Sequence, residues 1–259
     1  MEIKIKILKN GSIKVRGFEQ FYLAHEPKFF TAFVYVYLIK YGDKNILIDA
    51  GLPLQPFLDE LNQKWIRESG DKDAAFIQEK NEEIEYLLIN EGLKPSDIDY
   101  VILTHLHIDH VGSLSLFENA KIIYSSKGWS HFFGRKYSLM APREDIPDYV
   151  LKYLMFDAKD RIYLNSENEE VLPGITVSWV GGHSRCSQIV QVKTCKGIVT
   201  FCGDVVGTYK NIKENIPIAI IQNLEEVLIA MDKIRNTSDI ILTGHDPENM
   251  IKFSGGVVL

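Results

Sequence analysis

Two pairs of short apolar segments, each running into a histidine or an aspartate, constrain this chain most. Asp99-Tyr-Val-Ile-Leu-Thr-His105 is echoed by Asp239-Ile-Ile-Leu-Thr-Gly-His245, and Ile46-Leu-Ile-Asp49 by Val199-Thr-Phe-Cys-Gly-Asp204. Both echoes keep the same chain order, which suggests two related halves, each a sheet with helices, meeting face to face. Such an α/β arrangement gathers the polar residues at one common edge, where strand ends are rigid and the loops leaving them are free to carry reactive groups. At 259 residues, with 46% apolar and 25% charged, the chain can bury a substantial core. No glycine- or serine-rich linker divides it, so residues 1–259 are read as a single domain.

Further strands are expected at Phe33 to Ile39, Lys121 to Tyr124 and Thr176 to Val180, all rich in Ile, Val, Tyr and Phe. The start, MEIKIKILKN, alternates charged and apolar residues as a strand does, and lacks the apolar core of a signal peptide. Helical patterns run from Pro56 to about Glu68, from Glu82 to Asn90 before Gly92, and from Asn223 to Ile234, where Leu224, Val227, Leu228 and Met231 share one face.

The chemistry centres on Thr104-His105-Leu106-His107-Ile108-Asp109-His110-Val111-Gly112, directly after an apolar strand. Three of the seven histidines fall within six positions. In extended backbone, residues two apart point the same way, so His105 and His107 can approach one metal while Leu106 and Ile108 anchor the loop in the core. Asp109 and His110 then turn toward a neighbouring position. Imidazole and carboxylate suit zinc, iron or manganese, and the aspartate offsets a dication's charge. One histidine alone would more often be a core residue satisfied by hydrogen bonds; a cluster at a strand exit is a motif. His183 in Val180-Gly-Gly-His-Ser184, Asp204 and His245 also stand at strand exits. Singly each could be a turn or cap. With the cluster they make seven ligands, too many for one tetrahedral zinc and suited to two ions.

In these residues the chain resembles the metallo-β-lactamase superfamily, whose five motifs appear in order: Asp49, His105-x-His107-x-Asp109-His110, His183, Asp204 and His245. The resemblance implies a four-layer αββα sandwich built from two related halves. It implies that His105, His107 and His183 hold a first metal, that Asp109, His110 and His245 hold a second, and that Asp204 bridges them. Asp49 becomes an orienting residue that hydrogen-bonds to ligands; the plain alternative is a turn residue before Gly51. Complete ligand sets at both positions point away from the mononuclear iron dioxygenases of that family.

The implied reaction is hydrolysis by a metal-bridging hydroxide, with one metal polarising the carbonyl and the other stabilising the leaving group. Asp109 is the expected proton carrier besides being a ligand. The insertion after Asp49-Ala-Gly51, through Glu91-Gly-Leu-Lys-Pro-Ser-Asp-Ile-Asp99, and the late Thr243-Gly-His-Asp-Pro247 look like the acyl-homoserine lactonase branch. Glyoxalase II proteins usually add a helical domain after their last motif, whereas this chain runs to Leu259. Departures fall at informative places. Lactonases often carry His-Ser-Pro-Gly-His at the third motif and a tyrosine three residues after the bridging aspartate, where this chain has His183-Ser-Arg-Cys-Ser-Gln188 and Gly207. Tyr209 is the nearby candidate for a carbonyl-stabilising phenol, with an ordinary loop tyrosine as the alternative.

The expected function is therefore a dinuclear metal-dependent hydrolase acting on a lactone or related ester, with a glyoxalase II-like thioesterase or a non-catalytic metal-bound sensor as alternatives. Two divalent ions are expected as cofactors, zinc first, iron or manganese otherwise. A small-molecule lactone, ester or thioester is the expected partner, and a homodimer is compatible with the sequence. Cys186 is read as a packing residue or a thiol near the metals, and Arg185 as a carboxylate ligand or a solvated charge. The stretch from Trp129 to Phe156 holds Phe132, Phe133, Tyr137, Met140, Tyr149 and Met155 with Arg135, Lys136 and Arg143, which fits core or dimer packing, or a pocket wall or lid. Phe18 to Tyr37, with His25, fits a lid in its first half and a buried strand in its second. A net charge of −6 disfavours nucleic acid. No run of about 18 apolar residues predicts a membrane span, and three cysteines without a CxxC pair fit a reducing cytoplasm.

Overall fold

The charged and apolar alternation at the N-terminus continues well past its first ten residues and builds the longest strand of the molecule. In a computed structural model, which describes residues 3–25, 27–73, 75–134 and 147–259, that strand is β1 (Ile3–Arg16). It pairs antiparallel with β2 (Phe29–Tyr41), from Ile3 opposite Tyr41 to Arg16 opposite Phe29, with a register shift between Lys9 and Gly11. β2 pairs antiparallel with β3 (Lys44–Ile48). From there β4 (Tyr100–Ile102), β5 (Lys121–Ser125) and β6 (Ile162–Asn165) join in parallel, completing a six-stranded sheet among the described residues.

The second sheet is a meander of β7 (Asn168–Leu172), β8 (Ile175–Trp179), β9 (Gln188–Thr194) and β10 (Gly197–Phe201), to which β11 (Ile240–Leu242) adds in parallel beside β10. Helices are α1 (Gly17–Gln20), α2 (Phe57–Ser69), α3 (Ile84–Asn90), α4 (Ile108–Val111), α5 (Ser126–Gly134), α6 (Asp148–Lys152), α7 (Tyr209–Glu214), α8 (Leu224–Thr237) and α9 (Glu248–Lys252). None of the helices is long and apolar enough to cross a membrane, among the described residues.

Period-two alternation decides the layering, because successive side chains of a strand leave on opposite faces. Tyr35, Tyr37 and Ile39 of β2 meet Val177, Val190, Val199 and Phe201 of the other sheet in the inter-sheet core, while Val36 and Leu38 face outward. The outward set packs under Ile84 and Leu88 of α3. On the far side Ile189 and Cys202 pack under Val227, Met231 and Ile234 of α8. The layers are helix, sheet, sheet, helix, as the αββα expectation required.

The echoes in the sequence correspond to equivalent strand pairs. β3 lies parallel to β4, with Ile46, Leu47 and Ile48 opposite Tyr100, Val101 and Ile102; β10 lies parallel to β11, with Val199, Thr200 and Phe201 opposite Ile240, Ile241 and Leu242. Parallel neighbours end at the same edge, so each pair delivers an aspartate and a histidine together: Asp49 with His105, and Asp204 with His245. Ligand sites of α/β sheets characteristically form at these carboxyl ends.

Candidate metal centre

After β4 the chain stays extended through His105 and His107 (φ −66°, ψ 152°), then enters the single turn α4, which carries Asp109 and His110. Leu106 and Ile108 are buried between the ligands and fix this loop. His183 leaves β8 through Gly181 and Gly182, whose positive φ values let the chain turn back. A Cβ on Gly182 would lie 2.8 Å from the backbone nitrogen of Val227, so only glycine lets α8 approach so closely. The carbonyl of Gly182 accepts hydrogen bonds from Gln222 and Asn223 at the start of α8.

Nitrogen and oxygen atoms of His105, His107, His183 and Asp204 converge within 4.8 Å of one another, and those of Asp109, His110 and His245 do the same. His107 Nδ1 is 3.0 Å from both His105 Nε2 and His183 Nε2. Tetrahedral ligands at a zinc–nitrogen distance of about 2.1 Å would stand roughly 3.4 Å apart, so the three imidazoles are spaced as a ligand set. Asp204 joins the groups. Its Oδ2 faces His105 Nε2 at 3.7 Å and His183 Nε2 at 3.5 Å, while its Oδ1 faces His110 Nε2 at 3.2 Å and His245 Nε2 at 2.9 Å. Asp109 Oδ2 lies 3.5 Å from His110 Nε2 and 3.8 Å from His245 Nε2.

Outer hydrogen bonds determine which nitrogen carries the proton. His183 Nδ1 meets the carbonyl of Ile220 at 2.7 Å and His245 Nδ1 that of Phe33 at 2.8 Å. A carbonyl only accepts, so both Nδ1 atoms carry hydrogen and, in the neutral rings, both Nε2 atoms aim lone pairs inward. His110 Nδ1 donates to Asp49 Oδ2 at 2.7 Å. Thr104 Oγ1 donates to the same oxygen at 2.8 Å and accepts from His105 Nδ1 at 3.1 Å, while the Thr104 amide donates to Asp49 Oδ1 at 2.7 Å. Asp49 therefore orients one histidine of each group, directly or through Thr104, and holds a left-handed backbone (φ 63°) to do so.

The donor set fits divalent ions. His110 Nε2 and Asp204 Oδ1 are buried yet make no hydrogen bond, which is costly unless something else engages them. Without ions the charges are uneven. Burial drives His105 and His107 well below the ordinary histidine range and also lowers His183. Burial opposes protonation of His110 too, yet the carboxylates of Asp109, Asp204 and Asp49 outweigh it and carry His110 well above that range. His245 is likewise buried, and Asp204 beside it pushes it up to about 9. Burial disfavours the Asp204 anion, but His245, His110 and His105 hold its carboxyl well below the usual range.

A cavity of about 380 Å³ opens over His107, Asp109, His183, Asp204 and His245. Its walls are largely apolar, with Ile13, Val15, Trp65, Phe76, Ile218 and Ile220. β1 and the region following Gly51 thus supply much of the wall, and no periodicity in the sequence marks that role. Glu19 and Gln20 of α1 also line it, whereas His25 is exposed and does not.

Tyr209 is not brought to the cavity. Its hydroxyl lies 2.8 Å from the Ile241 carbonyl and 2.8 Å from Asn249 Oδ1, so the phenol is held against β11 and α9, and only Gly207 of this loop lines the cavity. The helical cap formed by Thr208 and Asn211 turns the chain before Tyr209 can reach inward. Cys186 is buried in the core beside Ser184, as a packing residue would be. Arg185 pairs with Glu226 at 2.9 Å. From the aromatic stretch, Trp129 and Tyr149 pack on the outer core and Tyr149 donates to the Gly112 carbonyl; Met155 and Phe156 are exposed. Arg135, Lys136, Tyr137, Met140 and Arg143 lie outside the described residues, as do the side chains of Phe132 and Phe133.

Comparison with known proteins agrees with this geometry. The family model of the metallo-β-lactamase superfamily matches residues 31–245. An N-acyl homoserine lactonase of Bacillus cereus is 27% identical over 222 residues, spanning 83% of this chain and 82% of its own. A 42-residue segment is 50% identical to metallo-β-lactamase domain-containing protein 1 of Xenopus laevis, covering 16% of this chain and 18% of that one. Among solved structures, an N-acyl homoserine lactone hydrolase with N-hexanoyl-L-homoserine bound at its catalytic metal centre superposes with a TM-score of 0.78 at 21% identity, covering 100% of both chains.

Proposed function

Since the chain belongs to the metallo-β-lactamase superfamily, we propose that it is a dinuclear metal-dependent hydrolase that opens lactones or closely related esters of neutral, apolar acyl compounds. The observation that carries this reading is the division of the Asp204 carboxylate, one oxygen toward each histidine group, beneath a cavity with apolar walls. His105, His107 and His183 are assigned to one ion and Asp109, His110 and His245 to the other, with Asp204 shared. Zinc suits these ligands, and iron or manganese are accepted by the same chemistry. Bound divalent ions supply Lewis acidity and lower the pKa of water to near neutrality.

The residues of the chain do the rest. Asp49 and the carbonyls of Ile220 and Phe33 engage Nδ1 of His110, His183 and His245, so that Nε2 of each of these rings is the nitrogen turned inward. Asp109 lines the cavity at the second group, where its carboxylate can take a proton and pass it to the leaving alkoxide. The apolar wall excludes water from an acyl tail and strengthens electrostatic interactions at the floor. At the cavity rim Lys14 forms an exposed ion pair with Asp73 at 2.8 Å. The apolar wall supports the lactone reading, and the acyl-glutathione arm of the test below separates it from the thioesterase.

The test is a hydrolysis panel on protein of measured metal content: N-acyl homoserine lactones of different tail length, simple lactones, phenyl acetate and an acyl-glutathione. Lactone turnover that disappears with chelation and returns with zinc is the expected result. Preferential cleavage of the acyl-glutathione would replace this reading with the thioesterase, and binding without turnover of any compound would replace it with the sensor.

A further inference from the structure

Beyond the metal ligands and the indole of Trp65, the polar side chains that line the cavity among the described residues are Lys14, Glu19 and Gln20. Lys14 is paired with Asp73, and Glu19 accepts a hydrogen bond from the Arg16 amide at 2.8 Å. Gln20 differs: it is 8% exposed, and among the described residues its side-chain amide has no hydrogen-bond partner. A neutral amide in that position faces the cavity it lines. Any compound that displaces the water must replace those hydrogen bonds or bind poorly.

Its place is also defined. A Cβ on Gly207 would stand 2.8 Å from Gln20 Nε2, so the amide end of Gln20 fills the space that a side chain at 207 would occupy. Gly207 lines the cavity, and its carbonyl accepts from the amide of His245 at 2.9 Å, which puts the Gln20 amide beside the loop that carries a metal ligand. The backbone behind it is held rigidly. Asn211 Nδ2 donates to the Gln20 carbonyl at 3.1 Å, Ala219 donates to the Glu19 carbonyl at 3.2 Å, and Tyr22 donates to that of Pro217 at 2.8 Å. Asn211 is fully buried, and its own Oδ1 accepts from the backbone and hydroxyl of Thr208. A donor held by such a frame is preorganised.

We propose that Gln20 is a substrate-binding group of this site, donating from Nε2 to a carbonyl oxygen of the acyl compound, and that Gly207 is glycine because it leaves room for that amide. The proposal rests on the hydrolase reading above. Nε2 is the amide atom that lies against Gly207, which itself lines the cavity. An amide neither gains nor loses a proton near neutrality, so Gln20 binds and polarises without acting as an acid.

The experiment compares zinc-loaded wild type with Gln20→Leu, Gly207→Ala and the double variant. N-hexanoyl-homoserine lactone, γ-butyrolactone and phenyl acetate serve as substrates, with zinc content and melting temperature measured in parallel. Gln20→Leu is expected to keep its zinc and its melting temperature, to lose roughly 10-fold in kcat/KM, and to keep the shape of its pH profile. Gly207→Ala, which pushes the amide aside, is expected to lose a similar factor, and the double variant no more than either alone. Rates within twofold of wild type for Gln20→Leu, or additive losses in the double variant, overturn the assignment. If the wild type cleaves phenyl acetate but neither lactone, the lactone reading falls while the phenyl acetate comparison still decides Gln20. If it cleaves none, calorimetric binding of ring-opened N-hexanoyl-homoserine decides: about 10-fold weaker binding to Gln20→Leu supports the assignment, and equal or undetectable binding in both proteins overturns it.

Discussion

Replacing Asp49 with asparagine isolates what the outer hydrogen bonds contribute to the metal centre. The aspartate is 2% exposed and accepts from the Thr104 amide at 2.7 Å, Thr104 Oγ1 at 2.8 Å and His110 Nδ1 at 2.7 Å. Asparagine tolerates the left-handed backbone at φ 63°, so the loop should keep its course. Its remaining oxygen can still accept from the Thr104 amide, but its NH₂ group then faces Thr104 Oγ1 and His110 Nδ1. His110 can restore a hydrogen bond only by accepting at Nδ1, which moves its proton to Nε2, the nitrogen aimed at the second metal position. A hydrogen bond to a charged group contributes about 1.5–3 kcal/mol, which corresponds to roughly 10–100-fold, the range in which loss of such outer partners weakens metal binding. The expected outcome for Asp49→Asn is a 10–100-fold weaker second zinc in a competition titration against a chelator, with a matching fall in kcat/KM. The first position, reached from Asp49 only through Thr104 and His105, should lose less. Two zinc ions bound with wild-type affinity would refute the orienting role, and equal loss at both positions would refute the route through His110.

Metal loading should depend on pH unequally at the two positions. His110 and His245 are raised, His245 to about 9, so at neutral pH an ion entering their group must displace protons, and its affinity falls as pH falls. His105, His107 and His183 are lowered, are already neutral, and impose little such competition. Zinc stoichiometry measured on lowering pH from 8 toward 6 should therefore drop first by loss from the second position; loss from the first position would contradict the assignment. Asp109→Asn should reduce turnover by roughly 100-fold or more if its carboxylate moves the proton, measured at saturating zinc, and undiminished turnover with full zinc would remove that role. Trp65 lies 5.2 Å from Phe76, ring centre to ring centre, in the cavity wall. Trp65→Ala should raise KM for a decanoyl substrate on the order of 10-fold while leaving γ-butyrolactone nearly unchanged, and equal effects on both would place the tail elsewhere.

Much of the fold and nearly all of the ligand set were legible along the chain, because they follow local rules. Alternation revealed β1, and β-branched runs revealed β2 through β5, β8, β10 and β11. Each ligand-type residue followed such a run, so the strand exits named the site. β9, Gln188–Thr194, escaped although Ile189, Val190 and Val192 mark it as a strand; the other features that escaped have no local signature. β7 carries Glu169 and Glu170 and owes its strand form to pairing with β8. Tyr209, two positions past Gly207, is near enough in sequence to reach the site, but the cap at Thr208 and the acceptors at Ile241 and Asn249 turn it away. Gln20, in a four-residue helix 191 positions from Asn211 along the chain, has no motif; only the approach of α1 to Gly207 and Asn211 gives it a place.

By itself the sequence determined the kind of chemistry, since imidazoles and carboxylates at those strand ends are metal ligands wherever the chain brings them together. The tertiary structure decided how these residues gather into two groups, which nitrogen of His110, His183 and His245 turns inward, and what lines the cavity above them. The physical reason is range. Residue type and strand periodicity act over a few neighbours along the chain, whereas the position of a carboxylate between two histidine groups, or of an amide over a glycine, is set by packing between segments far apart in sequence.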